Sequence, residues 1–208
     1  MFYLFLKGGP VMWPLLATSV ISLSIVIERL IFLWRQRKRT RPEDVAEILS
    51  HVRRGALDQA TKLALESQDP VAQVLAQGLL RRKKALSEAL MQAASQQSAL
   101  YVKGISALET IVTLAPFLGL LGTVTGMIRA FGLIGAKELE APVAITGGIS
   151  EALIATAFGL MIALFTLVPL NLVGSIHRRV RRRLEHAATE LEIELAHAGP
   201  VPSHEVTA

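Results

Sequence analysis

The sequence predicts an all-α, polytopic membrane protein with three transmembrane helices and a helical cytoplasmic domain. Three observations carry this. Of the 208 residues 51% are apolar, and charged and apolar residues fall into separate blocks, the pattern of a polytopic chain and not of an average soluble domain. Three apolar stretches are each long enough to cross ~30 Å of hydrocarbon. Two of them end in arginine-rich blocks, Arg35-Gln-Arg-Lys-Arg-Thr-Arg41 and His177-Arg-Arg-Val-Arg-Arg-Arg183, as expected of cytoplasmic ends.

Residues 1–10 read as a short periplasmic N-terminus. The first span, 11–34, follows Gly8-Gly9-Pro10, with proline placed to open a helix. Trp13 and Trp34 lie near its two interfaces. Its length, and strong positive charge after it instead of before it, argue for an uncleaved anchor. Residues 35–104 turn polar and read as a cytoplasmic helical domain. Pro42-Glu-Asp-Val opens one helix, Gly55 breaks it, and a second short helix carries Leu57, Ala60, Thr61 and Ala64. Asp69-Pro70 starts a third, expected to run on past Arg81-Arg-Lys-Lys84 into a long helix through Leu86, Leu90 and Ala94.

The second span, 105–133, and the third, 143–173, flank a periplasmic turn at 134–142 that holds one Lys and two Glu. Residues 174–208 are a cytoplasmic helix and tail, with Gly199-Pro-Val-Pro202 ending the helix. The N-terminus and the short turn then lie in the periplasm, the large loop and the C-terminus in the cytoplasm.

The composition also excludes function classes. There is no cysteine, hence no disulfide, thiolate chemistry or cysteine metal site. The net charge of +5 sits directly after apolar spans, which assigns it to membrane topology and not to nucleic acid. The five histidines lack metal-ligand spacing, and neither a phosphate-binding loop nor a nucleophile elbow is present. No enzyme activity, catalytic residue, metal or cofactor is therefore expected.

The hairpin of spans two and three carries the candidate site. Ala115, Gly119, Gly122, Gly126 and Ala130 recur at helical spacing and form one smooth face; Ala152, Thr156, Gly159 and Ala163 form another. Small faces let helices approach closely in lipid, where apolar burial supplies no force between them. Counting from a turn centre at Leu139 places Thr123, 16 residues before it, and Thr156, 17 after it, at nearly one level near mid-membrane. Either they line a proton or ion path, or they bond back to their own helix carbonyls.

The same count sets Glu151 level with Arg129 toward the outer side. There they either neutralise each other or each reaches interfacial water or another subunit. Near the inner face Glu28, Arg29 and Glu109 share a depth, as a structural ion pair with snorkelling or as a titratable acid guiding protons inward. No acid stands at mid-membrane. If protons cross here, a partner must supply the carboxylate.

At these residues the chain resembles the MotA/TolQ/ExbB proton-channel family, most closely its small ExbB-like members. The resemblance runs over nearly the whole chain. It rests on Gly8-Gly-Pro-Val-Met-Trp13, Ile27-Glu-Arg-Leu30, Pro116-Phe-Leu-Gly-Leu-Leu-Gly-Thr-Val-Thr-Gly126 and Glu151-Ala-Leu-Ile-Ala-Thr-Ala-Phe-Gly-Leu160. It implies an inner-membrane homopentameric ring enclosing a dimer of single-span ExbD- or TolR-like subunits. An aspartate on that partner takes up and releases protons, and a TonB-like protein receives the output. Thr123 and Thr156 match the family's pore threonines, and Glu151 its third-span acid. Three spans favour the ExbB/TolQ branch over MotA, which has four. The short N-terminus departs from the family by lacking a long periplasmic extension. An ExbB-type role, a TolQ-type role in envelope maintenance, a non-conducting membrane scaffold, and coupling to sodium instead of protons stay open at this point.

Overall fold

The computed structural model describes residue 5 and residues 7–132 and 141–197, with only the backbone described at 141–144. The expected turn at 134–142 therefore falls mostly outside the described residues, as do the start of the N-terminus and the segment Gly199-Pro-Val-Pro202. Among the described residues seven helices follow in order, and no strand. They are α1 (Met12–Arg39), α2 (Pro42–Arg53), α3 (Leu57–Glu66), α4 (Pro70–Leu80), α5 (Leu86–Val102), α6 (Ile105–Gly132) and α7 (Ala141–His197). Three long apolar helical stretches, Met12–Arg39, Leu86–Gly132 and Ile145–His197, are suited to cross a membrane. The chain divides into two units, residues 1–31 with 104–174, and residues 32–103 with 175–208.

In the first unit α1 opens on Gly9, whose φ of +73° lies in the left-handed region that glycine adopts without steric penalty. Met12 N–H then donates to the Gly9 carbonyl, and Trp13 N–H to that of Pro10. A second left-handed residue, Gly104 at φ +80°, separates α5 from α6. The burial pattern is the reverse of a soluble bundle. Ala115, Gly119, Gly122, Gly126 and Ala130 are buried on α6, and Gly148, Ala152, Ala155, Gly159 and Ala163 on α7. Phe117, Leu120, Ile128, Leu153, Phe165 and Val168 point outward. Water does not tolerate so wide an apolar exterior, and a bilayer does.

One buried polar contact in this unit was not anticipated. Thr166 Oγ1 donates to the Ile162 carbonyl at 2.8 Å and lies 2.6 Å from Ser22 Oγ, so the Ser22 hydroxyl donates to it and ties α1 to α7. Hydrogen bonds between membrane helices contribute about 0.6 kcal/mol on average and up to ~1.7. Thr166→Val, close to isosteric, is expected to destabilise the protein by an amount in that range in detergent unfolding. Combining it with Ser22→Ala should cost less than the sum of the two singles, and strict additivity would show that the pair does not act as one contact.

The second unit is helical, with a core of buried apolar side chains. Ile48, Val52, Ala60, Ala64, Leu75, Leu79 and Leu90 pack with Leu184, Ala187 and Leu191 of α7. Asp69 caps α4, accepting from Val71 N–H at 2.7 Å and from Arg41 N–H at 2.6 Å while itself buried. Arg53 donates to Glu194 at 2.7 Å and Glu190 at 3.1 Å. The bond to Glu194 and then its charge push the guanidinium's pKa further up.

The expected long helix through Arg81-Arg-Lys-Lys84 is not formed. These four residues are a turn, and α5 begins at Leu86. The reversal lets Leu75 and Leu79 of α4 share one core with Leu90 of α5, which a continuous helix would hold apart. Gly78 makes the approach possible, since a methyl group there would lie 2.5 Å from Leu90 Cδ2.

Candidate functional site

The small residues set the register of α6 against α7. A methyl group added at Gly119 would meet Thr156 Cα at 3.0 Å. One at Gly122 would meet Ala155 Cβ at 2.4 Å, and one at Gly126 would meet Ala152 Cβ at 3.0 Å. Gly159 sits deepest: an added methyl would fall 2.6 Å from the Ala115 carbonyl oxygen and 3.0 Å from Gly119 Cα. The four glycines of the two motifs thus bring main chain against main chain.

In this register the two threonines play different parts. Thr156 Oγ1 donates across the seam to the Gly119 carbonyl at 3.0 Å, whereas Thr123 Oγ1 donates to Leu120 of its own helix at 2.6 Å. Thr156 lies against Gly119, four residues from Thr123 on α6, which offsets the two by about one helical turn, ~6 Å. The depth count had set them nearly level. It assumed equal helical lengths on both sides of Leu139, whereas the glycine contacts fix the register. Both hydroxyls are half-buried with their protons committed to carbonyls. Each is left with lone pairs that can accept from a water or a hydronium ion, and neither can titrate usefully.

Toward the end of α6, Arg129 Nη1 donates to Glu151 Oε1 at 2.7 Å, the side chains being 48% and 20% exposed. The loop before α1 closes on the same carboxylate. A methyl group built on Gly9 would stand 1.7 Å from Glu151 Oε1 and 2.5 Å from its Cδ. Glu151 therefore lies between a guanidinium and the Gly9 loop that leads into α1. The sequence singled out Glu151 and Arg129 but treated Gly9 only as part of a helix start.

The inner group separates. Arg29, 3% exposed, pairs with the adjacent Glu28 through Nη2 and Oε1 at 2.5 Å, and Glu109 is exposed on α6. The structure thus brings Glu28 and Arg29 together.

Known proteins resemble this chain in sequence over most of its length. The sequence profile of the MotA/TolQ/ExbB proton channel family matches residues 66–186. An ExbB-like biopolymer transport protein of Synechocystis sp. is 31% identical over 193 residues, covering 90% of this chain and 91% of the relative. A second from the same organism is 34% identical over 206 residues, covering 91% and 76%. The biopolymer transport protein ExbB of Neisseria meningitidis is 28% identical over 213 residues, covering 92% and 94%. With three apolar helices and a matching length, the chain belongs to the MotA/TolQ/ExbB proton channel family.

Proposed function

We propose that the chain is the ring subunit of a proton channel in the bacterial inner membrane, a homopentamer around a dimer of single-span ExbD- or TolR-like proteins. It couples proton motive force to TonB-dependent transport across the outer membrane. One observation carries this reading. Two half-buried hydroxyls, Thr123 and Thr156, stand on the hairpin with their protons already bound to carbonyls, and no acidic residue lies within four positions of either along its helix. Such a surface accepts hydrogen bonds from a hydrated proton but cannot carry the charge, so the titrating group belongs to the partner. The driving force is adequate, since each charge crossing yields ~2.3 kcal/mol per 100 mV. A dry site raises an aspartate's pKa enough for it to cross neutral. A TolQ-type role uses the same machinery with a different partner.

Co-reconstitution into liposomes with a single-span ExbD- or TolR-like protein of the same organism, followed with an internal pH dye, tests the reading. Inward proton flux supports it. Correct assembly with no flux in the wild type sinks it and leaves the scaffold. The Thr156 bond to Gly119 favours that second reading, because it gives the hydroxyl a packing role that needs no ion.

The reading assigns Glu151 and Arg129 to the outer mouth, with Gly9 fixing the carboxylate. Reversal of the two charges is a poor test, because it also changes the side chain that lies against Gly9. A double-mutant cycle of Arg129→Met and Glu151→Gln avoids that difficulty. The flux lost on Glu151→Gln is expected to be several-fold smaller when Arg129 is already methionine, a coupling of about 1 kcal/mol. Equal losses in both backgrounds would show that the two act separately.

A further inference from the structure

We propose that the second unit carries a binding site for a phosphate-bearing anion, presented by the headgroup of an anionic phospholipid. A cavity of about 380 Å³ in this unit is lined by Arg179, Arg182, Arg183 and His186 of α7 and by Pro42, Val45 and Val71 opposite. Positions 179, 182 and 183 are spaced i, i+3, i+4, which sets three guanidinium groups on one helix face. Three like charges so placed repel one another unless an anion lies among them.

The surroundings supply little negative charge. The opposite wall is proline and valine. The one acid lining the cavity, Glu190, is already engaged: its Oε1 accepts from Arg53 Nη2 at 3.1 Å and its Oε2 lies 3.7 Å from His186 Nδ1. By contrast Arg181, outside the cavity, has its own carboxylate in Glu185 at 2.7 Å. Arginine forks fit phosphate oxygens in pairs, and several together hold one phosphate firmly.

Position along the chain selects a lipid as the source. Arg179 comes six residues after Val173, the expected end of the third span, which is ~9 Å of helix. Helical side chains lean toward the helix N-terminus, which on α7 is the direction of the span along the chain. The apolar wall of Pro42, Val45 and Val71 suits the glycerol and upper acyl region of a lipid better than a fully hydrated free phosphate. The leaflet is the cytoplasmic one if the topology of the proposed function holds; the site itself does not depend on conduction.

Native mass spectrometry of the full chain, purified in mixed micelles holding equal phosphatidylglycerol and phosphatidylethanolamine, reads the site directly. The wild type is expected to retain phosphatidylglycerol preferentially. Each arginine near a membrane surface contributes roughly fivefold in affinity, so the triple variant R179Q/R182Q/R183Q should lose the preference, and R182Q alone should weaken it about fivefold. The control R178Q/R181Q, which removes as much charge per change outside the cavity, should keep it. Helicity by circular dichroism monitors folding, and R182Q serves if the triple variant does not fold.

Equal retention by wild type and R182Q, or equal loss in the control, overturns the site. Displacement of the lipid by inorganic phosphate at equal concentration overturns the lipid as the source. Absence of lipid preference in the wild type, with loss of the oligomer in the triple variant, would give the cavity to carboxylates of a second copy and overturn the proposal.

Discussion

Thr156→Val is expected to cut partner-dependent proton flux at least about tenfold, equivalent to ~1.4 kcal/mol on the barrier, while Thr156→Ser keeps most of it. Valine preserves the shape of threonine but removes both the donor to Gly119 and the lone pairs that would receive a hydrated proton. Serine retains both. The two candidate roles of the hydroxyl separate in the unfolding midpoint. A purely structural bond predicts that flux and stability fall together, by an amount typical of one membrane hydrogen bond, about 0.6 kcal/mol. A lining role predicts that flux falls much further than stability. Thr123→Val sharpens the comparison, because Thr123 bonds only within its own helix. Its loss should reduce flux with little effect on the midpoint. Full conduction by both valine variants would remove the hydroxyls from the pathway.

Gly159→Ala is expected to be the most damaging single methyl group in the hairpin. The added carbon would stand 2.6 Å from the Ala115 carbonyl oxygen, 3.0 Å from Gly119 Cα and 3.1 Å from Gly119 N. All three are main-chain atoms, so no rotamer change relieves the overlap and the two helices must separate. Overpacking of this kind typically costs about 1–3 kcal/mol, and separation also stretches the Thr156 bond to Gly119. Gly147→Ala is the matched control. Nothing lies within 4 Å of a methyl group there, and it replaces glycine by a better helix former, worth up to ~1 kcal/mol. Thermal unfolding in detergent should show a lower midpoint for Gly159→Ala and an unchanged or higher one for Gly147→Ala. Equal midpoints would mean that the glycine seam does not hold the hairpin.

The three spans and the small-residue faces were legible in the sequence because each rests on local quantities: length, apolar content, arginines at the ends, and helical spacing. What depended on how helices meet was not. Thr156 stands opposite Gly119 and not beside Thr123, since the fit of glycines, and not the number of residues to the turn, decides the register. Ser22 and Thr166 are 144 residues apart, and no spacing rule joins them. The break at residues 81–84 escaped because four basic residues are acceptable within a helix. The signal lay in Gly78, whose missing side chain admits Leu90. Gly9 was legible as part of a helix start, but its closeness to Glu151 was not.

The small size of the side chains between α6 and α7 has a mechanical consequence. Two helices separated by leucines can creep past each other through small rotamer changes. Here Gly119, Gly122, Gly126 and Gly159 leave no such yielding layer, and packed surfaces of this kind shift in discrete notches instead of deforming smoothly. A load applied at one end of the hairpin is therefore delivered at the other with little lost in between. Any compliance lies in the outward-facing Phe117, Leu153 and Phe165. The hairpin is built as a gear tooth, not as a spring.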